Sequence, residues 1–418
     1  MSTTRTFQAM LNEYLSMDLM KEELIKRDWL LQNVEMDSTW KGGKMPVPFT
    51  GTQASSLKLG SLTAASDVAK HKYVRGSVDD YKELWGTLRF EQKDLMEHDG
   101  KVNEKSFLKM LPGQIEDFVQ FAKESLSKQL MTGPVICTAT DSTNAATGVF
   151  VVDRIERLVL GQKLIIDDAN SAQADVYVIS INLNTSEATF SLSRDGAAAD
   201  LSAYTVAQSA KFYQDGALVA GVETNVFADL KRSLLSAANG GSSSLYGVSK
   251  LAYPYLQAIN INGSAITAAT LKEKLFDAYN EIRAKARGNA NTVLMSYKHL
   301  GTLMSKLEDQ KGPFKVTASS EKASLYGWTE ITITSVKGTL KVVAIQEMDH
   351  DVIMFLDMGA MKFYSNGELF RKRTAPDGKQ YYEVREETGY YYLVDMCVFG
   401  EFVLHAPTKC GIVYGISY

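Results

Sequence analysis

The side chains of this sequence that could do acid, base or metal chemistry are few. Five histidines, His71, His98, His299, His350 and His405, are scattered along the chain. The densest group is Asp349-His350-Asp351, an imidazole between carboxylates, which has the residue types of a metal ligand set or a general base. Adjacent residues of an extended segment point to opposite faces, so these three are not expected to converge on one ion, and the group reads as a solvated turn. Glu386-Glu387 reads as solvated charge. Arg371-Lys372-Arg373 is too short to mark a nucleic-acid site by itself, although it has the charge to touch a phosphate or an acidic patch. No Gly-x-Ser-x-Gly elbow, His-Glu-x-x-His pair, Walker loop or Gly-x-Gly-x-x-Gly fingerprint occurs. The expectation is a protein that is not an enzyme, with no metal and no cofactor.

Composition narrows the class further. With 418 residues and 45% hydrophobic content the chain can build two or three packed units. A formal net charge of −4 lacks the broad basic surface of a dedicated nucleic-acid binder. Cys137, Cys397 and Cys410 are odd in number and far apart, which argues against a disulfide framework and for buried small hydrophobes in a reducing compartment. Glu13, Asp18, Glu22 and Glu23 interrupt the N-terminal apolar residues, so no signal or anchor is read there, and no run approaches the roughly 20 apolar residues of a membrane span. A soluble, intracellular product with no membrane partner is expected.

The element that orders the chain is an amphipathic helix over 111–134. Pro112 suits its first turn, Glu116 and Asp117 follow, Lys128 lies in its last turn and Gly133-Pro134 ends it. Ile115, Phe118, Val119, Ala122, Leu126 and Leu130 form one apolar stripe that needs a surface to pack on. Before it, a helical pattern over 4–33 gives way to Gly42-Gly43, Pro46 and Pro48, an extended arm. Two strand-like runs, 55–61 with Leu57 and Leu59 alternating and 81–91 with Leu84 alternating with Glu83, read as a ribbon too small to be stable alone. Arm and ribbon cannot bury themselves, so a neighbouring copy is expected to supply the surface.

After the helix, short β-branched runs from 135 to 212 predict a small antiparallel barrel or sandwich inserted in the host fold. Beyond it, Thr270 and Glu273 open a helix that Gly288 follows, and Ser296 caps another. Strands at 328–333, 340–345 and 352–356 precede long alternating segments around Asn366-Gly367 and Asp377-Gly378. The fold class is α+β.

This order of arm, extended loop, long helix and strand-rich end resembles the major capsid proteins of tailed bacteriophages, the Hong Kong 97 type fold. The residues that carry it are Asn366-Gly367-Glu368-Leu369-Phe370-Arg371, Tyr381-Tyr382-Glu383-Val384-Arg385, Gly389-Tyr390-Tyr391-Tyr392 and the closing segment 407–414. The resemblance implies an N-terminal arm (1–49), an extended loop (50–99), a spine helix of the peripheral domain (100–134), an inserted β-domain (135–212), a return to the peripheral domain (213–247), an axial domain (248–345), peripheral strands (346–394) and closing axial strands (395–418).

It also implies assembly contacts, expected at Leu57, Leu59, Arg75, Lys82, Leu84, Trp85, Arg371, Arg373 and Asp377. The helix would pack through Ile115, Phe118, Val119, Leu126 and Leu130. The implied partners are other copies, as pentamers and hexamers of an icosahedral virion shell built in the host cytoplasm. Scaffold, portal and decoration proteins and non-specifically held double-stranded DNA would accompany it. No lysine–asparagine crosslink is assignable. Two other readings stand: an encapsulin-like nanocompartment shell, and a hydrolase or carbohydrate-binding protein resting on Asp153, Asp175, Tyr177 and Tyr392.

Overall fold

The computed structural model of the chain describes residues 28–40, 43–52, 72–78, 82–91, 104–168, 173–205, 210–285, 290–308, 315–318, 328–335, 338–365, 370–373, 378, 381–386 and 389–417. Two units are distinguished: Met1–Ser127 with Leu230–Tyr418, and Lys128–Asp229. Helices and mixed sheets in the first and a closed barrel in the second make the chain α+β.

The first sheet of the larger unit is organised by the 16-residue strand Gly389–Leu404. Its length lets several short strands pair with it in succession. Phe370–Lys372 and Tyr382–Glu386 pair along one edge, and Lys82–Glu91 runs antiparallel along the other, from Tyr391 to Gly400. Met361–Tyr364 pairs with its end and takes Glu35–Asp37 as a parallel neighbour. The second sheet has the order Ile259–Asn262, Gly411–Tyr414, Val352–Leu356, Thr292–Met295, Gly338–Ile345, Trp328–Ser335, Lys315–Ala318. Leu271–Lys285 and Tyr297–Glu308 bury their apolar faces with it in one core that includes Leu275, Ile282, Leu303, Val293, Val342 and Phe355.

The ribbon differs from its sequence reading. Met45–Thr52 pairs with Lys72–Val78, whereas Lys82–Glu91 leaves the ribbon for Gly389–Leu404; the 55–61 run lies outside the described residues. Alternation reports a half-buried strand but carries no information about its partner. In Met45–Thr52 the prolines face outward and Val47 and Phe49 inward. Among the described residues the strand pairs with one neighbour, which leaves it the open edge that tolerates proline's missing N–H. Phe49 stacks on Tyr246 with centroids 6.0 Å apart, and the Ser77 N–H donates to the Tyr246 carbonyl at 3.0 Å. Gly76 lies under both, where a Cβ would come within 2.9 Å of the Phe49 ring and of the Tyr246 oxygen. Leu245, Val248, Leu256 and Val403 complete this core.

The expectation that arm and ribbon have no surface of their own is therefore corrected for the described residues. Trp29, Leu30 and Leu31 are buried as well, on a short helix capped by Asp28, whose Oδ1 accepts from the Leu31 N–H at 2.8 Å. The ribbon's packing partners come from 245–256 and from Val403, some two hundred or more positions downstream.

The long helix runs Glu104–Thr132, so the start read at Leu111 is about two turns late and Pro112 lies inside the helix. Its end is as read: Gly133 adopts φ +92° and donates its N–H to the Gln129 carbonyl at 3.1 Å. Val119, Ala122, Leu126 and Leu130 are buried, but so are Lys123, Ser125, Ser127, Lys128 and Gln129. The single-stripe reading is corrected for this stretch, because its polar side chains find internal partners. Lys123 pairs with Glu347 at 2.7 Å, Lys128 with the Thr132 hydroxyl, and Gln129 donates to Gln214 Oε1 at 2.8 Å.

The second unit is an antiparallel barrel closed in the order Lys211–Gln214, Val135–Asp141, Val149–Val152, Glu187–Ser191, Ala174–Asn182, Lys163–Asp167. Three fully buried rings fill it: Phe190 and Phe212 stack at 4.3 Å, with Phe150 edge-on to Phe212 at 5.5 Å. Cys137 lies in the same core, and burial pushes its thiol well above the ordinary range. Cys397 and Cys410 are also buried and form no disulfide, with Cys410 pushed up to about 12 by burial.

The domain limits implied at 346 and 395 do not coincide with passages between sheets. Val352–Leu356 sits inside the seven-stranded sheet, and Gly389–Leu404 runs unbroken through the six-stranded one.

Candidate assembly surface

Strand Lys82–Glu91 has two faces with different chemistry. On one, Gly86 meets the long helix so closely that an added Cβ would lie 2.4 Å from Phe118 Cε2. The absent side chain is what lets the Phe118 ring settle against the sheet. Gly86→Ala is expected to cost about 1–3 kcal/mol through this overpacking, and Phe118→Leu added to it is expected to recover part of the loss, both read by thermal melting.

The other face carries Glu83, Trp85, Thr87 and Arg89, opposite Phe399, Cys397, Asp395 and Leu393 of Gly389–Leu404. Trp85, 47% exposed, donates its Nε1–H to Glu83 Oε2 at 2.7 Å and meets the Phe399 ring edge-on at 6.1 Å. Thr87 Oγ1 donates to Asp395 Oδ1 at 2.7 Å. Asp395 Oδ2 stands 3.9 Å from the guanidinium of Arg373, which lies 5.4 Å over the Tyr382 ring. The Arg373 N–H also donates to the Asp395 carbonyl at 3.0 Å. Arg89 lies 3.6 Å over the Tyr391 ring. An exposed ion pair at that separation contributes little, and exposed cation–π contacts about 0.5–1 kcal/mol each. Their effect is to hold long side chains in one arrangement, giving a patterned aromatic and guanidinium surface of the composition found at protein interfaces.

Of the residues expected to make assembly contacts, Trp85 and Arg373 share this face, joined through Thr87 and Asp395. Leu84 and Lys82, two and four positions from Gly86, belong to the opposite face. Arg75 is exposed in the ribbon opposite Pro48, and Arg371 lies in strand Phe370–Lys372 opposite Cys397. Leu57, Leu59 and Asp377 lie outside the described residues, as does the side chain of Ile115; Phe118 is half-buried against Gly86. Thr87, Arg89, Asp395, Tyr382 and Tyr391 were missed in the sequence. The Trp85-x-Thr87-x-Arg89 alternation signals one shared face, but their partners lie some three hundred residues away.

The Asp349-His350-Asp351 turn holds a cation after all. Lys231 Nζ lies 2.9 Å from Asp349 Oδ2 and 3.0 Å from Asp351 Oδ1. In a turn, residues two apart reach the same point, which corrects the argument from extended geometry. Burial alone would lower the Lys231 pKa, but the two carboxylates outweigh it and raise it, so the site is a filled ion cluster. His299 contacts the His350 carbonyl at 2.8 Å and His405 the Tyr364 hydroxyl at 3.0 Å; burial lowers the pKa of both imidazoles. His71 and His98 lie outside the described residues. Asp153 accepts from the Thr138 N–H at 2.7 Å and Asp175 pairs with Lys163 at 3.0 Å, while Tyr392 packs edge-on against Tyr381 in the other unit. Among the described residues no three His, Cys, Asp or Glu are grouped to hold a metal ion, and no helix is long and apolar enough to cross a membrane.

No family model matches the chain, and no curated protein matches its sequence. Among solved structures it is similar to a chain of the cyanophage A-1(L) capsid asymmetric unit, with 11% identity, TM-score 0.47, and coverage of 100% of this chain and 98% of that one. It is similar to the capsid of a native GTA particle at 11% identity and TM-score 0.44, covering 94% and 91%. The SrpI encapsulin of Synechococcus elongatus is similar at 6% identity and TM-score 0.41, covering 93% and 88%.

Proposed function

We propose that this chain is a shell-forming structural protein, a major capsid protein of the tailed-phage type, and not an enzyme. It assembles with its own copies into pentamers and hexamers of an icosahedral shell around double-stranded DNA, in the host cytoplasm. The observation that carries the reading is the order in which elements join one sheet. A strand just before the long helix, the helix that packs on it through Gly86, and a strand from the last thirty residues form one body. That is the arm, loop, spine and strand-rich end on which the sequence resemblance rests. The Trp85 and Arg373 face supports it as a surface suited to another protein. Scaffold, portal and decoration proteins are the partners such a shell would use.

Electron microscopy of the full chain, alone and with its scaffold, is the test. Closed shells or polyheads are expected, and a solution species that stays monomeric under every assembly condition would remove the proposal. An encapsulin-like nanocompartment is the second reading, favoured by the same body plan; particles that contain protein cargo and no DNA would establish it instead.

A further inference from the structure

The two-residue turn between Leu245 and Val248 is closed by residues that both lie at positive φ, Tyr246 at +49° and Gly247 at +79°. Such a turn favours Asn-Gly, because asparagine and glycine tolerate the left-handed region and a bulky side chain does not. Tyrosine is a strained choice for the turn itself, so the reason for it lies in its contacts. It reaches two other parts of the chain at once. Its hydroxyl donates to the Phe402 carbonyl at 3.1 Å and accepts from the Leu404 N–H at 2.9 Å, at the end of strand Gly389–Leu404. Its ring lies against Phe49 of one ribbon strand, and its own carbonyl accepts from the Ser77 N–H of the other. A Cβ on Gly76 would come within 3.1 Å of Tyr246 Cβ, so this approach needs glycine there.

The base of the hairpin is fixed as well as its tip. Lys250, buried just past strand Val248–Ser249, donates its ammonium to the Arg232, Ser233 and Leu235 carbonyls at 3.0, 2.7 and 2.9 Å. These charge-assisted bonds tie the hairpin to the C-terminal end of helix Leu230–Leu234.

We propose that Tyr246 is a positioning residue, a peg that joins the ribbon Met45–Thr52 and Lys72–Val78 to strand Gly389–Leu404 and sets the direction in which the ribbon leaves that sheet. The ribbon's other face, where Pro48 and Arg75 lie opposite each other and exposed, is turned away from the peg. One consequence rests on the shell reading: a ribbon held at one angle presents that face to a neighbouring copy in the same way on every subunit, and a loose ribbon does not.

Hydrogen exchange of the soluble full chain, followed by mass spectrometry, separates a peg from a side chain that merely packs. Tyr246→Phe keeps the ring and loses the two hydroxyl bonds, so exchange in 45–52 and 72–78 is expected to rise about tenfold while helix Leu271–Lys285 keeps its rate. Tyr246→Asn suits the turn better and loses the ring as well. The rise in the ribbon is then expected to reach about a hundredfold, with 244–249 still protected. Electron microscopy of the same two variants reads the consequence, and far fewer closed shells are expected than from the unmodified chain. Ribbon exchange that is unchanged in Tyr246→Asn, or raised equally throughout the larger unit, overturns the peg. Raised ribbon exchange with shells as abundant as those of the unmodified chain overturns its role in assembly. An unmodified chain that forms no shell removes the shell reading, and exchange still decides the peg.

Discussion

Replacing Lys123 with alanine is expected to destabilise the larger unit by about 3–5 kcal/mol at neutral pH, the usual cost of removing one member of a buried ion pair. Lys123 and Glu347 have side chains 4% and 5% exposed and meet at 2.7 Å, so water cannot solvate the carboxylate left behind. Asp28, also fully buried, loses the favourable charge of Lys123 while Glu347 still opposes its ionisation. Burial by itself would lower the Lys123 pKa, but Glu347 and Asp28 outweigh it and hold it above the ordinary value. The sign of the pH response follows. Because the raised lysine pKa belongs to the folded state, the pair's stabilisation is complete below the ordinary lysine range and is lost as pH rises through the folded value. In Lys123→Ala the response comes from the carboxyl groups, and mild acid is expected to restore part of the stability by neutralising them. The double replacement Lys123→Met with Glu347→Gln is expected to cost less than Lys123→Ala, since the Glu347 charge is removed together with the lysine that paired with it. Thermal melts of the two variants and the unmodified chain at neutral and mildly acid pH check this; equal melting temperatures for Lys123→Ala and the unmodified chain would show that the pair is solvated.

Leu126→Asp is expected to cost about 4 kcal/mol or more, combining the roughly 2–3 kcal/mol of a buried leucine with the cost of enclosing a carboxylate. Leu126 is fully buried in the long helix. Phe121, on the same helix, is 39% exposed, and Phe121→Asp is expected to change stability by less than about 1 kcal/mol. Soluble yield and melting temperature of the two variants separate a buried helix from one with a free face. The contrast matters because Val119 to Leu130 includes so many enclosed polar residues that sequence pattern alone would leave much of the stretch in solvent.

The Trp85 face shows how an element can be legible while its site is not. The alternation of residues 84–90 establishes a half-exposed strand, and the same period marks Tyr390 to Val403. Nothing in either run says that Thr87 will sit opposite Asp395, or that Arg373 will approach the same carboxylate. The Asp28, Lys123 and Glu347 cluster was silent for a different reason. Each residue taken singly looks like a surface charge, and only their convergence makes them a buried unit.

By itself the sequence determined that the chain is α+β, that a long helix ends at Gly133, that strand 82–91 is half exposed, and that the β-runs after the helix close as a small antiparallel barrel or sandwich. These follow from hydrophobic period, turn residues and caps, which act within about a dozen neighbours. Only the tertiary structure decided that Lys82–Glu91 pairs with Gly389–Leu404 instead of with the ribbon, that Phe49 rests on Tyr246, and that Lys231 fills the Asp349 and Asp351 turn. Strand partnership and charge convergence are set by which buried surfaces fit together across hundreds of residues, and that fit has no local signature.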